Sequence, residues 1–203
     1  LGLGATEIAL IEAAERQFAM HGIDGASLRQ ISIDAGLVNS YAVQYHFKNR
    51  DGLVQAIFDY RIGVEEQEMQ RILNRLEQEG KTGDIRLLID AVWRHVYMLR
   101  DSHGERSYGA FLLGLRRSRS GFARRLAVSD LSPVTNRLME LLRTATGLPA
   151  DIFMRRFELI TAMQLDSLSR IDADDPLYRG MSDEEMLGEM VAMAEAALLV
   201  PHS

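Results

Sequence analysis

Proline is the strongest local brake on helix formation, and this chain of 203 residues holds only four, at positions 133, 149, 176 and 201. None of them falls inside a segment of apolar periodicity, and alternating strand-like runs bounded by turn residues are absent. An all-α fold is therefore expected. At 47% hydrophobic and 26% charged residues, the chain can bury a proper core in one domain or two small ones. No apolar run approaches the ~20 residues needed to span a bilayer, so no membrane partner is expected. The absence of Cys excludes a disulfide scaffold, thiolate zinc sites and a catalytic thiol, and is compatible with a reducing compartment. Glu7, Glu12 and Glu15 sit within a helical pattern in the first 20 residues, which is not the pattern of a secretory signal. The chain opens on Leu1 rather than Met, so a short arm ahead of it is an expectation.

Residues 6–21 place Ile8, Ile11, Ala14 and Phe18 on one helical face, with His21 and Gly22 closing the helix. Ser27 followed by Gln30 has the form of a capping box and opens a helix that ends at Ala35-Gly36. A short helix over Ser40–His46 follows, then a long one from Asp51 to about Glu79, stopped by Gly80 and Gly83. Further helices are expected over Asp84–Arg100, Ser107–Leu115 and Gly121–Val128. Another runs from the Ser132-Pro133 start to Gly147, followed by Asp151–Ile171 and Glu184–Leu199. Ser182 and Glu185 form a second capping-box signature. The domain boundary is expected near residue 50, giving 1–50 and 51–203 with no flexible linker between them.

Residues 27–47 have the shape of a helix-turn-helix, with Ile31 as a buried anchor and Gly36 where a left-handed residue reverses the chain. The second helix is polar on one side, with Asn39, Ser40, Tyr41, Gln44 and Tyr45, while Val43 and Phe47 can pack inward. Asn and Gln can bond an adenine edge bidentately, and Ser and Tyr can reach bases or phosphates. Ser27 at a helix start and Lys48 just past the second helix suit phosphates. An αα-hairpin with no nucleic-acid role has the same local shape.

The wider pattern narrows the choice. The run Leu10 to Phe18, then Gly22, Ser27 to Ile31, Ala35-Gly36, Tyr45 to Lys48 and Leu53 resembles the tetracycline-repressor (TetR) family of bacterial regulators over about residues 8–58. The resemblance implies a three-helix DNA-binding domain, a fourth helix leading to an all-α ligand-binding domain, and a homodimer built from the last two long helices. It also implies a cytoplasmic, ligand-responsive regulator, most simply a repressor on a palindromic double-stranded operator, with no cofactor, no metal and no enzymatic step. Ser40, Tyr41 and Gln44, supported by Asn39, are the expected base contacts. Ser27, Tyr45 and Lys48 are the expected phosphate contacts, and Arg29 and His46 complete the set. Three departures stand out. The turn Leu37-Val38-Asn39 is one residue longer than usual, Gln17 replaces a usual apolar residue, and the frequent basic arm before the first helix is not in this sequence.

Charge runs against this reading in bulk. Residues 1–61 hold five Lys plus Arg (16, 29, 48, 50, 61) and seven Asp plus Glu, net −2, although Arg29, Lys48 and Arg50 lie in or beside the 27–48 segment. Other signals are weaker. Gly80-Lys81-Thr82 lacks the first glycine of a P-loop, the five His form no pair at ligand spacing, and no GxSxG occurs. Six Arg without an acid between residues 106 and 129 read as a solvated face pairing with Glu65, Glu66 and Glu68, or as an anion site. Trp93, Tyr97, Tyr108, Phe111, Phe122 and Met139 could together line an effector cavity, or could be core at each position. The stripes Phe153, Phe157, Ile160, Gln164, Leu168 and Met186, Met190, Met193 suit a dimer's four-helix bundle, or could close the chain's own core. An all-α ligand carrier or enzyme with a vestigial helix-turn-helix, and a protein-interaction module, are the rival readings.

Overall fold

The computed structural model describes residues 2–118 and 132–201. Among the described residues the chain is helical throughout, without strands. The helices are α1 (Ala5–Gly25), α2 (Leu28–Asp34), α3 (Ala42–Phe47), α4 (Arg50–Gln78), α5 (Ile85–Met98), α6 (Ser107–Arg117), α7 (Pro133–Thr146), α8 (Ala150–Asp172) and α9 (Asp183–Leu199). The all-α expectation holds. The expected helix at Gly121–Val128, Phe122, and Arg119, Arg124 and Arg125 lie outside the described residues.

Helix ends follow the capping chemistry. Ser27, Asp84, Ser132 and Ser182 each accept the backbone N–H three residues on, and Glu185 returns the bond to the Ser182 N–H at 2.8 Å. The first capping box forms only by half. Gln30 donates instead to the Asp34 carboxylate at 2.7 Å, a charged acceptor one turn away. The expected stop at Gly22 is a kink: its φ of 72° and ψ of 164° interrupt α1, which resumes as far as Gly25.

The described residues form two compact units, one of residues 2–64 with 100–118 and one of 65–99 with 132–201. This division by packing falls inside α4, and α6 joins the N-terminal helices. The reason lies in side chains. Arg61 of α4 grips both carboxylate oxygens of Glu15 on α1 at 2.6 Å, and the Ser107 hydroxyl of α6 donates to the same carboxylate at 2.6 Å. Burial pushes the Glu15 carboxyl up from its ordinary value, while Arg61 and Ser107 pull against that shift. Arg16 pairs with buried Asp101 at 2.6 Å, and Ser102 donates to Glu12. Gly114 lets α6 approach α1 closely, since a Cβ there would stand 2.7 Å from the Phe18 carbonyl oxygen. Phe111 lies among Phe18, Phe58 and Tyr108, with ring centroids 5.5–6.2 Å apart.

The second unit packs α5 against α7 and α9. Its core includes Leu88, Trp93, Tyr97, Leu138, Phe153, Phe157, Ile160, Leu168, Met186 and Met190. Arg156 of α8 closes the far end of α9, donating to the carbonyls of Leu198 at 2.8 Å and Val200 at 2.5 Å, where the helix dipole favours a cation.

Two outcomes are expected. Glu15→Ala leaves a buried guanidinium without its counter-charge and should cost roughly 3–5 kcal/mol in denaturant unfolding, whereas the paired change Glu15→Leu with Arg61→Met should recover much of the loss. Burial pushes the His95 imidazole down to about 4. The unfolded chain then holds a proton between pH ~6.5 and ~4 that the folded chain lacks, so stability falls as pH drops through this window. Thermal melts of His95→Gln should show a flatter dependence there than the parent protein.

Candidate nucleic-acid interface

The interface is built from three consecutive backbone devices. The first ends α2. Gly36, at φ 75°, donates its N–H to Ile33 O (2.9 Å), and Leu37 donates to Ser32 O (3.0 Å), which is a Schellman motif. The second is the turn before α3. Asn39 Oδ1 accepts the Tyr41 N–H at 3.0 Å, and buried Ser32 donates to Ser40 O at 3.4 Å, tying the turn to α2. This longer turn moves the start of α3 from the expected Ser40 to Ala42.

The third device follows α3. Asn49 donates to Phe47 O at 2.8 Å across Lys48, whose φ of 68° and ψ of −53° make a γ-turn of the strained hand. Asn49 Oδ1 then accepts the Gly52 N–H at 2.9 Å as α4 begins. A Cβ on Gly52 would stand 2.1 Å from Phe47 O, so only glycine lets α4 start this close to α3. A glycine in the first turn of a long helix was the sequence signal for this approach.

These devices decide what faces outward. Val43 and Phe47 pack inward as expected, together with Ala42. Tyr41, Gln44, Tyr45 and Lys48 recur at helical spacing and are all exposed, Tyr45 at 83%. Ser40 is half-buried beside them, and Asn39 is exposed but has its side-chain oxygen committed to the turn. Ser27 and Arg29 are exposed at the start of α2. His46 turns toward α1, its Nδ1 3.5 Å from Glu7 Oε1.

Two residues take roles that local pattern did not reveal. Gln17, the polar departure on α1, is buried and donates to Asp34 at 2.6 Å, joining α1 to α2. Arg50 donates to the carbonyls of Asp24 (3.0 Å) and Ala26 (2.6 Å), so it clasps the end of α1. The unfavourable charge tally is also partly internal. Glu12 and Glu15 are buried, and Arg61 answers Glu15.

The other expected site residues separate. Tyr108 and Phe111 belong to the first unit's core, whereas Trp93, Tyr97 and Met139 belong to the second unit. Of the eight residues assigned to a dimer face, Phe153, Phe157, Ile160, Gln164, Leu168, Met186 and Met190 are buried within the second unit, and Met193 is exposed. Glu68 pairs with Arg71 on its own helix at 2.6 Å. Among the described residues, no three His, Asp or Glu side chains converge to hold a metal ion, and no helix is long and apolar enough to cross a membrane.

The sequence model of the bacterial regulatory proteins of the tetR family matches residues 10–57, which span α1, the helix-turn-helix and the start of α4. Among solved structures, the chain is similar to a Rhodococcus sp. protein named for the TetR-family transcriptional regulators. The two share 17% identity over 97% of this chain and 100% of that one, with a TM-score of 0.49, too distant a likeness to carry residues across. No curated protein matches the chain. Residues 10–57 of this chain are thus a helix-turn-helix DNA-binding domain of the tetR family of bacterial transcription regulators.

Proposed function

We propose that this protein is a ligand-responsive transcriptional repressor that binds a palindromic operator as a homodimer and performs no reaction of its own. The observation that carries the reading is the outward row Tyr41, Gln44, Tyr45 and Lys48 on a helix whose opposite side is sealed by Val43 and Phe47. Tyr41 and Gln44, with Ser40, would reach base edges, while Ser27, Arg29, Tyr45 and Lys48 would hold phosphates. Asn39 supports them by ordering the turn, and His46 by its place against α1. Strain concentrated at Lys48 supports a binding role, since a non-glycine residue persists in that conformation only where the surroundings impose it.

Dimerisation would use the outer faces of α8 and α9, where Met154, Leu159, Met193 and Leu199 are exposed. Two reading helices would then enter successive major grooves about 34–36 Å apart. An effector bound in the second unit would favour a non-binding spacing, with a coupling of about 1–3 kcal/mol. Such a protein works in the cytoplasm.

Selection from a random DNA pool at two salt concentrations should enrich one inverted repeat, with affinity falling steeply as salt rises. Tyr41→Ala with Gln44→Ala should leave the fold intact and cost about 1–3 kcal/mol of sequence discrimination per lost contact. Enrichment of no site by a folded dimer would favour a ligand carrier or an interaction module instead. Lys48→Gly should separate stability from function: it relieves roughly 1 kcal/mol of strain, raising the melting temperature, yet weakens operator binding by removing a charge.

A further inference from the structure

Folded interiors pair nearly all their buried polar groups, so a cluster that stays unpaired asks for an explanation. The inward stripe of α8 runs Phe153, Phe157, Thr161, Gln164, Leu168. Thr161 and Gln164 have no exposed surface, yet the Thr161 hydroxyl and both ends of the Gln164 amide have no hydrogen-bond partner among the described residues. The indole N–H of Trp93, on α5, is in the same condition. Three residues beyond Gln164 the contrast is clear. Ser167 donates to the backbone carbonyl of Gln164 at 2.8 Å and lies 3.0 Å from the Tyr97 hydroxyl.

Trp93 and the α8 stripe meet through Phe157. The backbone of α5 packs closely on α7 and α9, while its link to α8 runs through long side chains. The Trp93 and Phe157 rings are 6.3 Å apart, and Tyr97 reaches Ser167. Thr161 and Gln164 lie on α8 between those two bridges. No charged side chain lies on the stripe, so an ionised head placed there would lose its hydration without a counter-charge. A carboxamide would pair reciprocally with Gln164, its N–H to Oε1 and its carbonyl to Nε2. The Trp93 N–H could donate to a second carbonyl lone pair, and the Thr161 hydroxyl could take either role.

We propose that the α5–α8 face of the second unit binds a small neutral molecule that carries a carboxamide on an aromatic body, held by Gln164, Thr161 and Trp93. The proposal rests on the ligand-responsive reading above and supplies the effector's chemical class.

Trp93 is the sole tryptophan of the chain, so its emission reports on the site directly. The full-length protein is titrated with phenylacetamide, benzamide, phenylacetate and ethylbenzene. Phenylacetamide or benzamide should shift the emission saturably, and phenylacetate should not. Gln164→Leu should weaken amide binding roughly tenfold or more, and Thr161→Val should weaken it less. Because Gln164→Leu removes an unpaired buried group, it should melt no lower than the parent, which separates lost binding from lost folding. No saturable shift with either amide overturns the proposal, as does equal amide affinity in Gln164→Leu, or binding of ethylbenzene as tight as that of the amides. The titration needs no DNA. Failure to find an operator would sink the regulator reading while leaving this site standing. Operator release by a compound that leaves Trp93 emission unmoved would sink the site and leave the regulator.

Discussion

Arg61 reaches from α4 into the interior of the first unit and binds both oxygens of Glu15, with Ser107 on the same carboxylate. One buried ion pair thereby joins three helices that are far apart in the chain. Taking both charges from water is costly, and it is tolerable only because each oxygen and the guanidinium find partners at short distance. Phe111 stacks on Tyr108, whose ring lies 5.9 Å from the Arg61 guanidinium, and meets Phe58 edge-on, while α6 passes close to α1 at Gly114. The DNA-reading segment is therefore mounted on a body that includes α6, and α4 begins in that body and ends in the other.

Above that anchor, the reading surface is held by backbone more than by side chains. A Schellman motif, an Asn39 turn, a strained γ-turn and the Gly52 close approach follow one another within twenty residues. Each sets the direction of the next segment, so α3 has little freedom although it is only six residues long. A helix this short would not persist in water. Its stability comes from Val43 and Phe47 beneath it, and that same packing turns Tyr41, Gln44 and Tyr45 outward.

The second unit shows a different economy of polar groups. Its surface pairs, such as Arg94 with Asp90 and Glu184, are satisfied in solvent, and Arg156 closes α9. Its interior keeps Thr161, Gln164 and the Trp93 N–H unpaired among the described residues, where leucine or valine would fill space at less cost. Polar atoms retained in that way are a specificity device when a ligand completes them.

Much of this was legible in the sequence because it is local. Helix existence, the caps at Ser27, Ser132 and Ser182, the left-handed Gly36, and the outward and inward faces of α3 all follow from spacing and side-chain chemistry within a few residues. What the tertiary structure alone decided is pairwise and distant. Only contacts between separate elements could assign α6 to the first unit, make Gln17 a partner of Asp34, and make Arg50, a cation beside the helix-turn-helix, a clasp on α1. The same holds for the two C-terminal stripes, whose periodicity specifies an apolar face without specifying what covers it. A helix's own sequence determines which side must leave water. Which surface receives it depends on the competition among all the other faces in the folded chain.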